Sequence, residues 1–233
     1  MLLAPLVGLG LGLLAAAVVL AARQLFGASA EARLLAGLAA VAIFAWATRG
    51  LHLDGLADTA DGLGSGREPD GALAVMRRSD IGPFGVVVVA LVMAVQVVAV
   101  AACVRHGRGT EGLILAGAVS RTAVVMGTAR GVPPARPDGL GAMVAESVPA
   151  GAWVLWGVAT AVLAGAYGWM DEGAGPVGAC RAVVAVVAGL AAARLFLGRC
   201  VRRLGGVTGD VLGALVEVSA AVTLVVVATV VPR

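Results

Sequence analysis

The chain has 233 residues, of which 60% are hydrophobic and 13% are charged, whereas a soluble domain is about half apolar and about a quarter charged. Its net charge of +3 comes from scattered arginines without any lysine, which excludes the concentrated basic surface that nucleic-acid binding requires. This composition predicts an all-α, polytopic helical membrane protein that sits in a lipid bilayer and has no nucleic-acid partner.

The hydropathy pattern predicts about seven transmembrane helices in one bundle, forming a single integral membrane domain over residues 1–233. Three windows of spanning length carry no charge, and they cover residues 2–22, 81–104 and 147–170. The first window is too long for the core of a signal peptide and has no basic segment before it, so it is expected to remain as a span. Four further windows admit a charged residue, and they cover residues 34–53, 112–129, 176–197 and 211–231. Because ionisable groups within a span are costly, these four are expected to carry function or ion pairs.

The connections with the most unusual residues are about residues 54–80, 131–146 and 199–210. With seven spans these are the second, fourth and sixth connections, so all three emerge on the face that holds the N-terminus. More arginines fall on this face than on the other, and the positive-inside rule then makes it cytoplasmic, with Arg233 on the opposite side of the cell membrane. Within the first connection, residues 68–79 are expected to form a short helix.

Three aspartates follow the second predicted span, in the segment His-Leu-Asp-Gly-Leu-Ala-Asp-Thr-Ala-Asp-Gly at residues 52–62. The spacing places Asp54, Asp58 and Asp61 on one face if the segment is helical. Carboxylates that close repel one another unless a cation joins them, and oxygen ligands of this kind suit Mg²⁺ bridging to a substrate phosphate. A solvated acidic loop that only caps a helix is the alternative. The pattern favours a magnesium site with the three aspartates as ligands and catalytic residues, beside which His52 could bind phosphate or act as a base.

Arg77 and Arg78 stand directly before Ser79 and Asp80, just ahead of the third predicted span. Arginine side chains bind phosphate oxygens in a bidentate manner, so this segment is a candidate for substrate binding. The alternative is a pair of arginines that only mark the membrane interface.

Arg121 lies near the middle of the fourth predicted span, where an unpaired cation is expensive. We therefore expect it to face a carboxylate or an anionic ligand inside the bundle, with a structural ion pair as the alternative. Beyond this span, Arg136 and Asp138 lie in a turn whose proline and glycine residues would present Asp138.

A glycine-rich turn at residues 205–209 opens the last predicted helix and contains Thr208. Exposed backbone N–H groups at a helix start favour phosphate binding. Asp210 and Glu217 are seven residues apart and so share a face, which makes them candidate catalytic carboxylates. The alternative is that Thr208 or Asp210 caps the helix and that Glu217 is a buried partner of an arginine.

At these motifs the sequence resembles the cobalamin synthase family, the adenosylcobinamide-GDP ribazoletransferases. The segment at residues 52–62 resembles the family's signature, and the segments at 135–141 and 205–214 resemble its later motifs in the same order. One departure is Arg78-Ser79-Asp80, where many members have Asp-Ser-Arg. The residues assigned to substrate binding are His52, Arg78, Ser79, Asp80, Arg121, Arg136, Asp138 and Thr208.

The resemblance implies an Mg²⁺-dependent transferase of the last steps of cobalamin biosynthesis, compatible with a homo-oligomer. Its substrates would be adenosylcobinamide-GDP and α-ribazole or α-ribazole 5′-phosphate, and GMP would be released. A CDP-alcohol phosphotransferase also uses aspartates of a membrane helix with a metal, but its pattern has Ala-Arg where this chain has Ala57-Asp58. A transporter is a third alternative, but it predicts inverted halves with matching broken helices.

Overall fold

The computed structural model describes residues 1–170 and 175–229, which form a bundle of helices. In chain order the helices are α1 (Ala4–Phe26), α2 (Ala30–Ala47), α3 (Leu51–Gly64), α4 (Pro69–Val75), α5 (Pro83–Arg105), α6 (Gly109–Gly127), α7 (Gly139–Val144), α8 (Ala152–Met170), α9 (Gly175–Leu204) and α10 (Gly209–Ala228). Six of these helices, α1, α2, α5, α8, α9 and α10, are long and apolar enough to cross a membrane. With α6, which has 19 residues, seven long helices are present in the described part of the chain. The predicted all-α polytopic membrane fold is confirmed.

Helix α6 is the most enclosed of the long helices, because it packs against α1, α5, α8, α9 and α10. Most of its side chains are buried, including those of Glu111 and Arg121. Glu111 pairs with Arg181 of α9 at 3.4 Å, with both side chains almost fully buried. A helix surrounded by protein rather than lipid can carry such residues, which explains the ionisable side chains within α6.

The predicted second span is wrong at its end, because the chain turns before residue 53. Helix α2 ends at Ala47, and the hydroxyl of Thr48 donates a hydrogen bond to the carbonyl of Phe44 at 2.9 Å. Arg49 and Gly50 then take positive φ angles of 54° and 71°, which interrupts the helix before α3 begins at Leu51. His52 therefore belongs to the same short helix as the three aspartates.

The predicted connections are shorter than expected, since helices occupy much of them. The connection at 54–80 contains most of α3 and all of α4, and α4 confirms the short helix expected at 68–79 in a shorter form. Helix α9 continues to Leu204, so the connection expected at 199–210 spans only residues 205–208. The last residues of the window at 211–231, and Arg233 with its predicted location, lie outside the described residues.

The three motif-bearing connections meet at one end of the bundle, as their parity predicts. The backbone N–H of Ala135 donates to the carbonyl of Val207, and the N–H of Val207 donates to the carbonyl of Pro133, both at 2.9 Å. Arg77 and Asp138 form an ion pair at 2.6 Å between the first and second of these connections. Met1 lies at this end as well, where it borders the cavity described below. The expectation that the N-terminus shares this face is confirmed.

Candidate active site

Helix α3 carries the three aspartates past the start of α10. It can approach closely because Gly55 has no side chain, and a Cβ at this position would lie 2.8 Å from the Cα of Asp210. Along the helix Asp54 is exposed, Asp58 is partly buried and Asp61 is buried. The helical arrangement expected from their spacing is therefore confirmed.

Asp58 stands among other carboxylates. Partial burial, and then the negative charges of Asp210, Asp54 and Asp61, raise its pKa from 3.8 to about 6. Arg136 acts in the opposite direction but does not cancel these effects. The repulsion expected from the sequence is thus present, and it includes Asp210 as a fourth carboxylate contributed by α10.

Asp61 differs from the other two aspartates in what its carboxylate contacts. It accepts hydrogen bonds from the backbone N–H groups of Gly82 at 2.7 Å and Gly85 at 2.9 Å. Both donors belong to the start of α5, and only 8% of the Asp61 surface is exposed. The spacing of the aspartates does not predict this interaction, because it carries no information about a partner more than 20 residues away.

A cavity of about 390 Å³ opens between α1, α3, α6, α7 and α10. Its polar lining includes Asp54, Asp210, His52 and Arg121, and the remainder is mainly apolar. A volume of this order and a few convergent polar groups are typical of small-molecule sites. Burial and the positive charge of Arg121 lower the pKa of His52 to about 4. His52 is therefore neutral at pH 7 and better suited to hydrogen bonding than to taking up a proton.

Arg136 reaches this cluster from the connection before α7. Its Nη2 atom lies 3.7 Å from Oδ2 of Asp210. The Nε and Nη2 atoms of Arg136 are buried and have no hydrogen-bond partner among the described residues. Buried guanidinium N–H groups without acceptors are costly, and a phosphate in this position would satisfy them.

Thr208 has a structural role at the start of α10. Its hydroxyl oxygen accepts a hydrogen bond from the N–H of Val211 at 3.2 Å, and its hydroxyl donates to Oδ2 of Asp210 at 3.1 Å. The capping alternative is therefore confirmed for Thr208, which also orients Asp210. Its predicted role in substrate binding is compatible with this contact and stays a prediction.

Four predicted binding residues are not brought to the cavity. Arg78 donates two hydrogen bonds to Asp80, at 3.0 and 2.8 Å, and both side chains are exposed. Ser79 between them is also exposed. Asp138 pairs with Arg77 on the surface. In this structure Arg78 and Asp80 neutralise each other, Arg77 neutralises Asp138, and none of the four predicted residues lines the cavity.

Glu217 lies two helical turns beyond Asp210 and does not line the main cavity. Its Oε2 accepts a hydrogen bond at 2.8 Å from Nε2 of Gln96 on α5. Glu217 shares a second, small cavity with His52 and Arg121. Arg121 is buried and faces the bundle interior, as expected, but it forms no ion pair with a carboxylate of the described chain.

Gln96 is the residue that sequence reasoning overlooked in this region. It lies within residues 81–104, which were predicted as a span because they contain no charged residue. A neutral amide does not affect that criterion. A glutamine in a row of valines and alanines is nevertheless a signal, since a buried amide needs a partner in a membrane helix.

The carboxylates of α3 and α10 do not form a complete metal site by themselves. Within residues 1–170 and 175–229, no three His, Cys, Asp or Glu side chains are arranged to hold a metal ion. Mg²⁺, however, is usually held by one or two carboxylates, water and substrate phosphates, and not by a complete protein cage. Asp54 and Asp58 on adjacent turns of α3 fit a metal ion that is shared with a phosphate.

The three cysteines, Cys103, Cys180 and Cys200, are free thiols.

Comparison with known proteins gives the motifs a family context. The protein-family profile described as Cobalamin-5-phosphate synthase matches residues 1–228. An adenosylcobinamide-GDP ribazoletransferase of Frankia casuarinae is 44% identical over 237 residues, covering 100% of this chain and 85% of that protein. Proteins of the same name from a Nocardioides species and from Syntrophobacter fumaroxidans are 41% and 39% identical, covering 96% and 92% of this chain and 84% and 80% of their own. No solved structure matches the chain.

Proposed function

The chain belongs to the cobalamin-5-phosphate synthase family, and from this we infer that it is an adenosylcobinamide-GDP ribazoletransferase. The reaction transfers the adenosylcobinamide phosphate of adenosylcobinamide-GDP to α-ribazole or α-ribazole 5′-phosphate and releases GMP. The products are adenosylcobalamin or its 5′-phosphate. Family membership removes the grounds for the CDP-alcohol phosphotransferase and transporter alternatives.

One feature of the site supports this reaction more than any other. The buried Nε and Nη2 atoms of Arg136 lack acceptors and stand beside Asp210, which lines the cavity together with Asp54. A pyrophosphate placed here would accept the guanidinium hydrogen bonds and lie near the carboxylates of α3. Arg121 adds a second positive charge from the cavity wall. Such fixed charges stabilise a phosphoryl group as negative charge builds up in the transition state.

The chemistry forms one P–O bond and breaks another. A ribose hydroxyl oxygen of α-ribazole attacks the phosphorus atom attached to cobinamide, and the bond from that phosphorus to the bridging oxygen breaks. GMP leaves with this oxygen, while the hydroxyl proton passes to a carboxylate. We assign proton uptake to Asp210, because it lines the cavity and Thr208 orients its Oδ2 atom. Glu217 lies deeper in the bundle, so a direct catalytic role for it stays a prediction.

We propose Mg²⁺ as the cofactor, held by Asp54 and Asp58 together with the substrate phosphates. When bound, the ion would supply positive charge that neutralises the pyrophosphate and the leaving GMP. The raised pKa of Asp58 supports this assignment, because mutually repelling carboxylates gain most from a cation between them. Asp61 was predicted as the third ligand, and its different contacts are taken up in the next subsection.

We further propose that the protein lies in the cell membrane with this site on the cytoplasmic face. Several exposed arginines gather at the motif end of the bundle, among them Arg67, Arg77, Arg199, Arg202 and Arg203. The positive-inside rule supports the cytoplasmic assignment of an end that is rich in arginine.

The function is tested with the purified protein in detergent or liposomes. GMP release is followed after addition of Mg²⁺, adenosylcobinamide-GDP and α-ribazole 5′-phosphate, with α-ribazole compared as acceptor. We expect GMP to appear only when an acceptor is present, together with the joined corrinoid product. GMP release that does not depend on the acceptor would indicate a hydrolase, and no release with either acceptor would overturn the proposal.

A further inference from the structure

We propose that Asp61 is a positioning residue that fixes α3 to the start of α5, and that it is not a ligand of the metal held by Asp54 and Asp58. The sequence spacing treats the three aspartates as equivalent, but the structure gives the third a different set of contacts. The claim that Asp61 is not a metal ligand rests on the proposed function. The contact of Asp61 with the start of α5 is independent of that function.

The carboxylate of Asp61 acts as the cap that α5 does not have in its own sequence. The residue before α5 is Gly82, which has no side chain and therefore cannot cap the first turn of the helix itself. Pro83 follows and has no N–H group. Asp61 reaches across from α3 to accept from the N–H groups of Gly82 and Gly85. A carboxylate at this position satisfies orphan donors and also complements the positive end of the helix.

The Asp61 carboxylate occupies the space that side chains at Gly82 and Gly85 would need. A Cβ at Gly85 would lie 2.5 Å from Oδ2 of Asp61 and 3.0 Å from the carbonyl oxygen of Ala57. A Cβ at Gly82 would likewise collide with the Asp61 carboxylate. The interaction therefore needs both the acid on α3 and the absence of a side chain on α5. This requirement connects the aspartate segment at residues 52–62 to the glycines at the start of α5.

Asp58 lies between two points at which α3 is held. Near the N-terminal end of α3, Gly55 packs on the backbone of Asp210. Near the C-terminal end of α3, Asp61 binds the start of α5. These contacts fix the rotation of α3 about its axis and so the direction in which Asp54 and Asp58 project. If Asp61 turned toward a metal, two largely enclosed N–H donors would lose their acceptor. The third aspartate thus serves the site by holding the helix that carries the other two.

The test compares the full-length variants Asp61→Asn, Gly85→Ala and Asp58→Asn, with Asp70→Asn on α4 as a matched control at an exposed aspartate. Binding of Mn²⁺ in place of Mg²⁺ is measured by electron paramagnetic resonance. Hydrogen exchange is followed in peptides that cover residues 82–88. Turnover is measured per folded protein, with kcat and KM separated.

We expect Asp61→Asn and Gly85→Ala to speed exchange at residues 82–88 and lower kcat, with KM close to that of the parent and a loss of Mn²⁺ affinity much smaller than in Asp58→Asn. Asp58→Asn should weaken Mn²⁺ binding by about tenfold or more and leave exchange at residues 82–88 unchanged. Combining Asp61→Asn with Gly85→Ala should add little to either single change, because both remove the same contact.

Three results would overturn the proposal. The first is unchanged exchange at residues 82–88 in Asp61→Asn, and the second is a loss of Mn²⁺ affinity in Asp61→Asn equal to that in Asp58→Asn. A variant that only melts earlier, with normal kcat per folded molecule, would show a purely structural role and also contradict positioning. If the parent protein binds no Mn²⁺, the proposed metal site fails, while the exchange and kcat measurements still decide the role of Asp61.

Discussion

Arg136 and Asp210 face each other with 3.7 Å between Nη2 and Oδ2, close enough for an ion pair and too long for a hydrogen bond. Oδ2 of Asp210 instead accepts a hydrogen bond from Thr208. The Asp210 carboxylate therefore attracts the Arg136 guanidinium by charge but accepts no hydrogen bond from it. This arrangement leaves Arg136 oriented and available for a phosphate.

Replacement of Arg136 tests this reading directly. Arg136→Ala should lower kcat/KM by about 10²- to 10³-fold, the scale of losing one fixed donor to transition-state charge. Arg136→Lys should recover only part of this loss, because lysine keeps the charge but not the planar pair of donors. The assay is acceptor-dependent GMP release, with Arg105→Lys at the other end of the bundle as control. Equal activity of the lysine and arginine forms would show that only the net charge matters.

The two carboxylates proposed to hold Mg²⁺ should be indispensable for turnover. Asp54→Asn and Asp58→Asn each keep the size of the side chain but remove a charged ligand, so activity should fall by at least about two orders of magnitude. Folding should persist, which size-exclusion chromatography and circular dichroism can establish. Near-normal turnover with an unchanged dependence on Mg²⁺ concentration would mean that these aspartates only form a solvated surface.

Without a bound metal ion, the repulsion between Asp58 and the neighbouring carboxylates should lower the stability of the folded protein. Since the pKa of Asp58 is raised in the folded state, folding favours its protonated form, and the resulting penalty appears as the pH rises from below 3.8 through about 6. In the presence of a chelator, Asp58→Asn should therefore raise the thermal midpoint at pH 7.5 and have little effect near pH 4. A midpoint difference that is the same at both pH values would contradict the electrostatic origin.

The site shows which information the sequence contains and which it does not. The spacing of Asp54, Asp58 and Asp61 is local, so their common helix followed from the geometry of one helical turn. Their partners are non-local, and the contacts of Asp61 with α5 depend on how two helices pack. The helix break at residues 48–50 was also not predictable, because hydropathy stays high through an interruption of only a few residues. Arg78 and Asp80 were read as ligand-binding groups, but two opposite charges so close in the chain can pair with each other.

The membrane orientation has its own prediction. With seven spans the N-terminus should be cytoplasmic and the C-terminus should lie on the opposite side. Fusion of a reporter active only in the cytoplasm to each terminus, with a periplasmic reporter as the complementary measurement, decides the arrangement. Cytoplasmic signals from both termini would require an even number of spans, and α6 would be the first helix to reconsider because it is not among the six helices apolar enough to cross a membrane.

The contact of Gln96 with Glu217 should contribute measurably to stability, because it joins α5 and α10 inside the membrane region. Gln96→Leu removes the donor and leaves the carboxylate near Arg121 without its amide partner. We expect a loss of about 1–2 kcal/mol in unfolding free energy, the range for hydrogen bonds between membrane helices and for those to charged groups. Chemical denaturation in detergent measures this loss, and Val95→Leu, at a lipid-exposed position of the same helix, provides the control.

A double change separates this hydrogen bond from a simple effect of packing at Gln96. If the amide serves mainly to satisfy Glu217, then Gln96→Leu should cost much less in a Glu217→Leu background, because no buried acceptor is left unpaired. An equal cost in both backgrounds would assign the effect to side-chain shape. In that case Glu217 must be stabilised by Arg121 across the small cavity that the two residues share, and Arg121→Met should then destabilise the protein more than Gln96→Leu.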